Sequence, residues 1–134
     1  MPGFKPHRNG VRIIGAIIDE AIDLTNAQIP CELWLSNCEF LNSVSFLYAS
    51  VVGGVSFEDS VFKADANFAR IKVVSDAFFN GTVFEGPVKF IGADIAEAFN
   101  ADEAQFKDKE NRASFNSMRV GQTASFSEAV FEGR

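Results

Sequence analysis

Few residues of this 134-residue chain have the side-chain types and the spacing that catalysis or metal binding requires. The single histidine, His7, lies in the segment KPHRNG, without a cysteine, an aspartate or a second histidine at the spacing of metal ligands. One terminal histidine cannot complete a Ser-His-Asp or Cys-His set either. We therefore expect neither a metal site nor nucleophilic catalysis.

The two cysteines do not change this expectation. Cys38 falls at a position equivalent to Ala16 and Ser60, which we expect to point inward, so we interpret it as a packed core residue. Cys31 follows Pro30 at a predicted corner. A disulfide or a shared metal would require the two thiols to meet across part of a coil, which their spacing does not favour.

Paired carboxylates are the remaining candidates for acid–base chemistry. They fall at predicted corners, where solvated acids are expected, and the sequence indicates no apolar pocket that would shift the pKa of one partner. The pairs are Asp19–Glu20, Glu58–Asp59 and Asp102–Glu103. We therefore predict no catalytic, cofactor-binding or metal-binding residue, and we interpret the protein as a non-enzyme without a cofactor.

Composition and charge argue against further classes of function. The net charge of −6 argues against direct binding to nucleic acid, because the phosphate backbone repels an acidic surface. No apolar run approaches the roughly 18 residues that a membrane span needs. The start of the chain is polar and turn-rich, unlike a signal peptide, and two cysteines are too few for a disulfide scaffold. We expect a cytoplasmic protein.

The acidic residues are unevenly distributed along the chain. Between Ile13 and Phe62 there is no Lys or Arg. A well-solvated surface and a surface recognised by a partner both explain this bias. The candidate acidic surface consists of Asp19, Glu20, Asp23, Glu32, Glu39, Glu58 and Asp59.

A recurring phenylalanine indicates which elements position these residues. The spacing between Phe57, Phe68, Phe79 and Phe90 is eleven, which fits neither an ordinary helix nor an ordinary strand. When the recurring large apolar positions are grouped at intervals of 22 residues, one column is rich in Phe and another never contains it. A full turn therefore takes 22 residues and has four sides. These two columns are Ile18, Phe40, Phe62, Phe84, Phe106 and Ile29, Val51, Val73, Ile95.

The pattern shifts by three residues after Phe106, in the segment KDKENRA. We therefore predict a short bulge at 107–112 and about five and a half coils. One local exchange fits the same register, because Phe99 and Ala101 have swapped the large and small positions of their coil and so conserve core volume. The columns continue beyond the bulge with Phe115, Val120, Phe126 and Phe131.

We predict an all-β fold, a four-sided parallel β-helix or solenoid. Identical side chains then stack at the separation of neighbouring strands, about 4.8 Å. Phenylalanine suits such a ladder because rings in register bury a large apolar area. The predicted core ladder is Phe40, Phe46, Phe57, Phe62, Phe68, Phe79, Phe84, Phe90, Phe106, Phe115, Phe126 and Phe131.

The repeat resembles that of the pentapeptide-repeat family, whose motif is Ala, then Asp or Asn, then Leu or Phe, then two variable residues. ANFAR at 66–70 and ADIAE at 93–97 match it well, and IDLTN at 22–26 and AQIPC at 27–31 match it loosely. The resemblance covers residues 11–131 and implies a right-handed β-helix. Since this chain alternates five- and six-residue units, we expect wider corners at two of the four edges.

The ends of the chain carry separate expectations. We expect residues 1–10 to form an N-terminal cap or arm with Phe4 as a plug, and residues 11–134 to form the β-helix. The chain ends with FSEAVFEGR, halfway round a coil. This end predicts either contact with a second molecule or continuation in a longer protein.

Outward positions are the candidate functional surface. On two adjacent sides they are apolar in columns, which favours a docking surface, although β-propensity alone also places such residues in strands. The candidate interaction surface is Ile17, Trp34, Val61, Phe78, Val83 and Val130.

These patterns favour a non-catalytic interaction or scaffold module. We expect its partner to be a protein or a second copy, as a homodimer through the C-terminal coil or the apolar faces. The resemblance implies an alternative, a protein that mimics DNA and binds DNA gyrase or another DNA-binding protein. A carbohydrate-active β-helix enzyme is the remote alternative.

Overall fold

The computed structural model describes residues 10–132 as a solenoid of 21 short strands. Within this range it contains no helix, and so none that could cross a membrane. The strands form four parallel sheets, one for each side of the solenoid.

Each side takes at most one strand from each coil. Side 1 contains Val11–Ile14, Leu33–Ser36, Val55–Ser56, Ala77–Phe78, Phe99–Asn100 and Ala124–Ser125. Side 2 contains Ile17–Ile18, Glu39–Phe40, Val61–Phe62, Val83–Phe84, Gln105–Phe106 and Val130–Phe131. Side 3 contains Ile22–Asp23, Val44–Ser45, Ala66–Asn67 and Val88–Lys89, and a bridge from Lys89 to Ser114 extends it. Side 4 contains Gln28–Ile29, Ser50–Val51, Lys72–Val73, Asp94–Ile95 and Arg119–Val120.

The register of the strands gives the length of a coil. Phe62 pairs with Phe40 on one side and with Phe84 on the other, an offset of 22 residues in each direction. From side 3 of the fifth coil onward the offset is 25, as in the pair of Asp94 and Arg119. Three residues are therefore inserted between side 2 and side 3 of that coil. The four-sided parallel β-helix predicted from the sequence is confirmed.

Stacked phenylalanine rings fill the interior. In the side 2 column, the ring centroids of Phe40 and Phe62 are 4.7 Å apart, and those of Phe62 and Phe84 are 5.1 Å apart. Their planes differ by only 12° and 8°. Rings of different columns meet edge to face instead, as Phe62 and Phe68 do at 86°. Both arrangements are favourable for aromatic quadrupoles, so one residue type packs along and across the axis.

The exchange of Phe99 and Ala101 preserves this packing. Phe99 is 1 % exposed and Ala101 is fully buried. The Phe99 ring centroid lies 5.7 Å from that of Phe79 and 5.6 Å from that of Phe126. Phe99 therefore fills the gap that Ala101 leaves in the column.

Two kinds of corner produce the alternation of five and six residues. Between sides 1 and 2, Ser60 N donates to Phe57 O at 3.1 Å and Asp59 has a φ of 56°, which defines a type II turn. The corner between sides 3 and 4 has the same geometry, with Tyr48 at a φ of 59°. In residues 10–132 the six-residue corners, between sides 2 and 3 and between sides 4 and 1, lack this turn bond.

Burial of the predicted ladder falls off toward the last layer. The nine rings from Phe40 to Phe106 are at most 4 % exposed. Phe115 and Phe126 are half-buried, and Phe131 is 50 % exposed although it keeps its place in the column. Its ring stacks on Phe106 at 4.5 Å, but no further described layer covers its other face.

A column of small polar residues lines the inside of side 2. Thr82 Oγ1 donates to Phe57 O at 2.7 Å, and Ser60 Oγ donates to Leu35 O at 2.6 Å. Both hydroxyls are fully buried, and each donates its hydrogen bond to a backbone carbonyl of the preceding coil, as buried polar groups require. Cys38 precedes them in the column and is a buried free thiol.

Candidate docking surface

The register places the outward residues of side 1 in one column. It runs through Arg12, Trp34, Ser56, Phe78, Asn100 and Ser125. Ser56 lies between the two aromatic residues and is only 2 % exposed, although it faces outward. Trp34 and Phe78, themselves half-buried, flank Ser56 in this column, and these two side chains are defined here as the aromatic platform.

The outward residues of side 2 form a second, more aliphatic column. It runs through Ile17, Glu39, Val61, Val83, Gln105 and Val130. Ile17 is 72 % exposed and Val130 is 49 % exposed, whereas Val61 and Val83 are half-buried. The structure therefore brings the six candidate interaction residues onto two adjacent sides.

A further apolar stripe lies at the corner between sides 4 and 1. Val52 is 59 % exposed and Val74 is 47 % exposed, and Pro30 and Ala96 occupy the equivalent positions of neighbouring coils. The candidate surface predicted from the sequence did not include this stripe, because it was drawn only from outward residues that lie between two inward-pointing residues of a side. The 22-residue spacing from Val52 to Val74 was the available signal.

The seven residues of the candidate acidic surface do not share one face. Asp19 and Glu20 lie at the corner between sides 2 and 3, and Asp23 lies on side 3. The other four, Glu32, Glu39, Glu58 and Asp59, lie on or beside sides 1 and 2. The uneven distribution of acidic residues along the chain therefore does not produce a single acidic patch on the surface.

A different asymmetry of charge runs around the axis. We define the apolar half as sides 1 and 2 with the corner between them and the corner between sides 4 and 1; the polar half is the remainder. Among residues 10–132, the apolar half has one basic residue, Arg12, and nine acidic ones, Glu32, Glu39, Glu58, Asp59, Asp76, Glu97, Asp102, Glu103 and Glu128. The polar half also has nine acidic residues, Asp19, Glu20, Asp23, Asp65, Glu85, Asp94, Asp108, Glu110 and Glu132. These are nearly balanced by eight basic ones, Lys63, Arg70, Lys72, Lys89, Lys107, Lys109, Arg112 and Arg119.

Hydrogen bonds fix several carboxylates beside side 1. Asp76 Oδ1 accepts from Ala98 N at 2.9 Å, and Glu97 Oε1 accepts from Ser75 Oγ at 3.0 Å. Both acids lie at the corner between sides 4 and 1. Across the platform, at the corner between sides 1 and 2, the Ser125 hydroxyl and Ser127 N donate to Asp102 and lower the pKa of its carboxyl group. Side 1 therefore has a negative row along each edge.

The insertion after side 2 borders a small cleft. Its volume is about 110 Å³, and its lining includes Phe106, Phe131, Asp108 and Arg112. Glycoside hydrolysis generally needs two facing carboxyl groups, whereas Asp108 is the only carboxylate in this lining. In residues 10–132 no group of three His, Cys, Asp or Glu side chains is arranged to hold a metal. His7 and Phe4, with most of the expected N-terminal cap, lie outside the described residues.

Comparison with known proteins agrees with this geometry. A family model described as pentapeptide repeats (9 copies) matches residues 32–72. This segment of the chain is therefore similar to the pentapeptide-repeat family. Searches of curated proteins and of solved structures gave no match. Because similarity to this family indicates a scaffold rather than an activity, function must be argued from the surface.

Proposed function

We propose that this β-helix protein is a non-catalytic interaction module that docks a protein partner, or a second copy of itself, on sides 1 and 2. The observation that carries this proposal is the alignment of outward apolar side chains in the strand columns of sides 1 and 2; in the polar half, the exposed Leu41 and Tyr48 lie at corners and not in a strand column. The outward columns of the other two sides are polar throughout, as Asp23, Ser45 and Asn67 on side 3 illustrate. Aligned apolar residues on a single face favour a docking surface.

Strand propensity alone does not explain this arrangement. It accounts for Val61 and Val83, which lie in strands, because β-branched residues fit a pleated surface. Val52 and Val74 follow the ends of their strands, where propensity exerts no such preference. The aromatic platform is also a large rigid apolar surface, of the kind that dominates binding energy in protein interfaces.

Self-association has two candidate contacts. One is the apolar half, and the other is the last described layer, where Phe131 is half exposed beside the half-buried Phe126. The ring centroids of these two residues are 6.0 Å apart, so they present one aromatic surface. A homodimer through either contact belongs to this proposal.

Light scattering after size exclusion tests the proposal. The wild type is compared with Trp34→Asp on side 1, Phe131→Asp in the last layer, and Asn67→Asp as a control of equal charge on side 3. A dimer lost only with Trp34→Asp supports docking on side 1, and one lost only with Phe131→Asp assigns self-association to the last layer. A dimer lost with Asn67→Asp would contradict both contacts.

A monomeric result moves the test to a partner. The immobilised full chain is then compared with a Trp34→Ala/Phe78→Ala variant and with a control variant, Ser45→Ala/Asn67→Ala, for the proteins each retains from a cell extract. The proposal expects a protein that the wild type and the control retain and the aromatic variant loses. Identical sets from all three chains would contradict docking on side 1.

A DNA-mimicking protein is the second candidate function. The two rows of carboxylates beside side 1 favour it, because duplex DNA also carries two negative strands. The apolar platform between the rows weighs against it, since a groove of DNA has no equivalent. Inhibition of DNA gyrase supercoiling by the wild type, lost with Asp76→Asn/Asp102→Asn, would support mimicry.

A further inference from the structure

Side 1 combines two features that recognise positive charge. Its centre is the aromatic platform, and its edges carry the carboxylates of Glu32, Asp76 and Glu97 on one side and of Glu58 and Asp102 on the other. An aromatic face attracts a cation through its ring quadrupole, and a carboxylate attracts it through charge. Both features favour the same kind of ligand group.

The protein itself shows which group fits the platform. The Arg12 guanidinium carbon lies 4.4 Å from the centroid of the Trp34 ring. Arg12 is also the only basic residue of the apolar half within residues 10–132. A guanidinium stacked on Trp34 therefore provides an internal example of the contact that this surface offers.

Hydrogen bonds hold three of these carboxylates in place before a ligand binds. The backbone amide of Ala98 holds Asp76, the Ser75 hydroxyl holds Glu97, and Ser125 with Ser127 holds Asp102. Groups fixed in this way lose less conformational freedom on binding, which increases affinity.

We propose that side 1 binds an arginine-rich segment of a partner protein, an inference that rests on the proposed docking role of this face. One guanidinium of the segment stacks on Phe78, another replaces Arg12 on the Trp34 ring, and neighbouring ones pair with the two rows of carboxylates. Arginine suits both contacts better than lysine, since its planar group stacks on rings and pairs with carboxylates in a bidentate manner.

A partner segment fits this charge pattern better than a second copy does. The polar half of a second copy has eight basic residues, but nine acidic residues are interspersed with them. Such a surface offers no net positive charge to the apolar half. A segment with arginines and few acids matches both the sign and the excess of charge on side 1.

The test measures binding of a dye-labelled nona-arginine peptide to the full chain by fluorescence anisotropy at low salt. Neutralising one edge with Glu32→Gln/Asp76→Asn/Glu97→Gln should weaken binding by about tenfold or more, because three charge contacts are lost. The matched control, Asp65→Asn/Glu85→Gln/Asp94→Asn, removes the same charge from the polar half. It should weaken binding by less than about threefold, since it acts only through screened long-range attraction.

The aromatic platform has its own readout. Trp34 is the only tryptophan of the chain, so a change in its emission during titration with unlabelled nona-arginine reports contact at side 1. Phe78→Ala should weaken binding several-fold, whereas Val83→Ala on side 2 should not. Nona-lysine should bind more weakly than nona-arginine, because lysine lacks the stacking guanidinium.

Equal weakening by the two triple variants, with no change in Trp34 emission, would overturn the inference and indicate only general attraction to an acidic protein. Self-association abolished by the edge variant and untouched by nona-arginine would overturn it in favour of a second copy. If nona-arginine fails to bind while the aromatic variant still loses a partner from the extract, the arginine segment is wrong and the docking function stands. If both experiments fail, the proposed function is wrong as well.

Discussion

Phe62 and Phe131 occupy the same column of the solenoid and differ in what covers them. Phe62 stacks at 4.7 Å on Phe40 and at 5.1 Å on Phe84, and Phe131 stacks at 4.5 Å on Phe106. Phe62 is 1 % exposed and Phe131 is 50 % exposed. The repeat therefore fixes the geometry of every layer, whereas stabilisation depends on a layer being covered on both faces. The same holds at the other end, where Ile18 of the first coil is only half-buried.

The sharpest test of this contrast removes a ring from the centre. Phe84→Ala should lower the free energy of unfolding by about 3–5 kcal/mol, because it leaves a cavity between two rings that stay fixed in the stack. Phe62 and Phe106 both lie 5.1 Å from the Phe84 ring centroid. Urea denaturation followed by circular dichroism measures the loss. A loss below about 1 kcal/mol would mean that the column is not the core.

Removal of a ring from the last layer should cost much less. Phe131→Ala deletes a half-exposed side chain and leaves no enclosed cavity, so we expect about 1–1.5 kcal/mol, half of the transfer free energy of a buried Phe. The same urea experiment provides the comparison with Phe84→Ala. A loss as large as that of Phe84→Ala would show that another surface covers Phe131 in solution.

A third substitution tests a polar part of the interior. Thr82→Val keeps the shape of the side chain and removes the bond from Thr82 Oγ1 to Phe57 O. That carbonyl retains its bond from Ser60 N, so we expect a loss of only about 1 kcal/mol. Thr25→Val, at an exposed hydroxyl on the corner after side 3, is the control and should leave the urea midpoint unchanged.

Inward residues could be predicted from the sequence because their period is a direct consequence of stacking. The 22-residue grouping gave the four sides, the three-residue shift after Phe106, and the exchange of Phe99 with Ala101. Exposure in the last layer could not be predicted in the same way. Column membership is a property of spacing, whereas burial is a property of neighbours on both faces, and Phe131 has the first without the second.

The docking surface could be predicted only in part. Trp34 and Phe78 follow from the middle position of each side, but Val52 and Val74 lie at a corner whose shape the spacing leaves open. The difference in charge between the apolar half and the polar half could not be predicted either, because a charge count along the chain mixes residues from all four sides. Contacts between coils, such as Arg12 on Trp34, require the register as well as the pattern.

Asp102 adds a dependence on pH to the corner between sides 1 and 2. Hydrogen bonds from Ser125 and then from Ser127 lower its pKa below the ordinary value of 3.8. A carboxyl with a lowered folded pKa stabilises the fold above its unfolded pKa, and this contribution is lost as the pH falls through the folded value. Asp102→Asn should therefore unfold at lower urea concentration than the wild type at pH 7. The difference between the two should shrink below pH 3.8, and a constant difference would contradict the assignment.

The smallest effect is expected on the outside of the stack, at the corner between sides 2 and 3. Lys63 Nζ lies 3.7 Å from Glu85 Oε1, and their side chains are 41 % and 38 % exposed. Water screens such a pair, so a double-mutant cycle with Lys63→Ala and Glu85→Ala should give a coupling below about 0.5 kcal/mol.

Charges of alternating sign continue this column, because Lys107 and Glu132 follow Lys63 and Glu85 in the next two coils. Lys63→Glu should lower the urea midpoint slightly at low salt, and the exchange Lys63→Glu/Glu85→Lys should restore only part of that loss, because it places the introduced lysine against Lys107. A coupling as large as the loss in Thr82→Val would show that the exposed corner stabilises the coils as strongly as a buried hydrogen bond does.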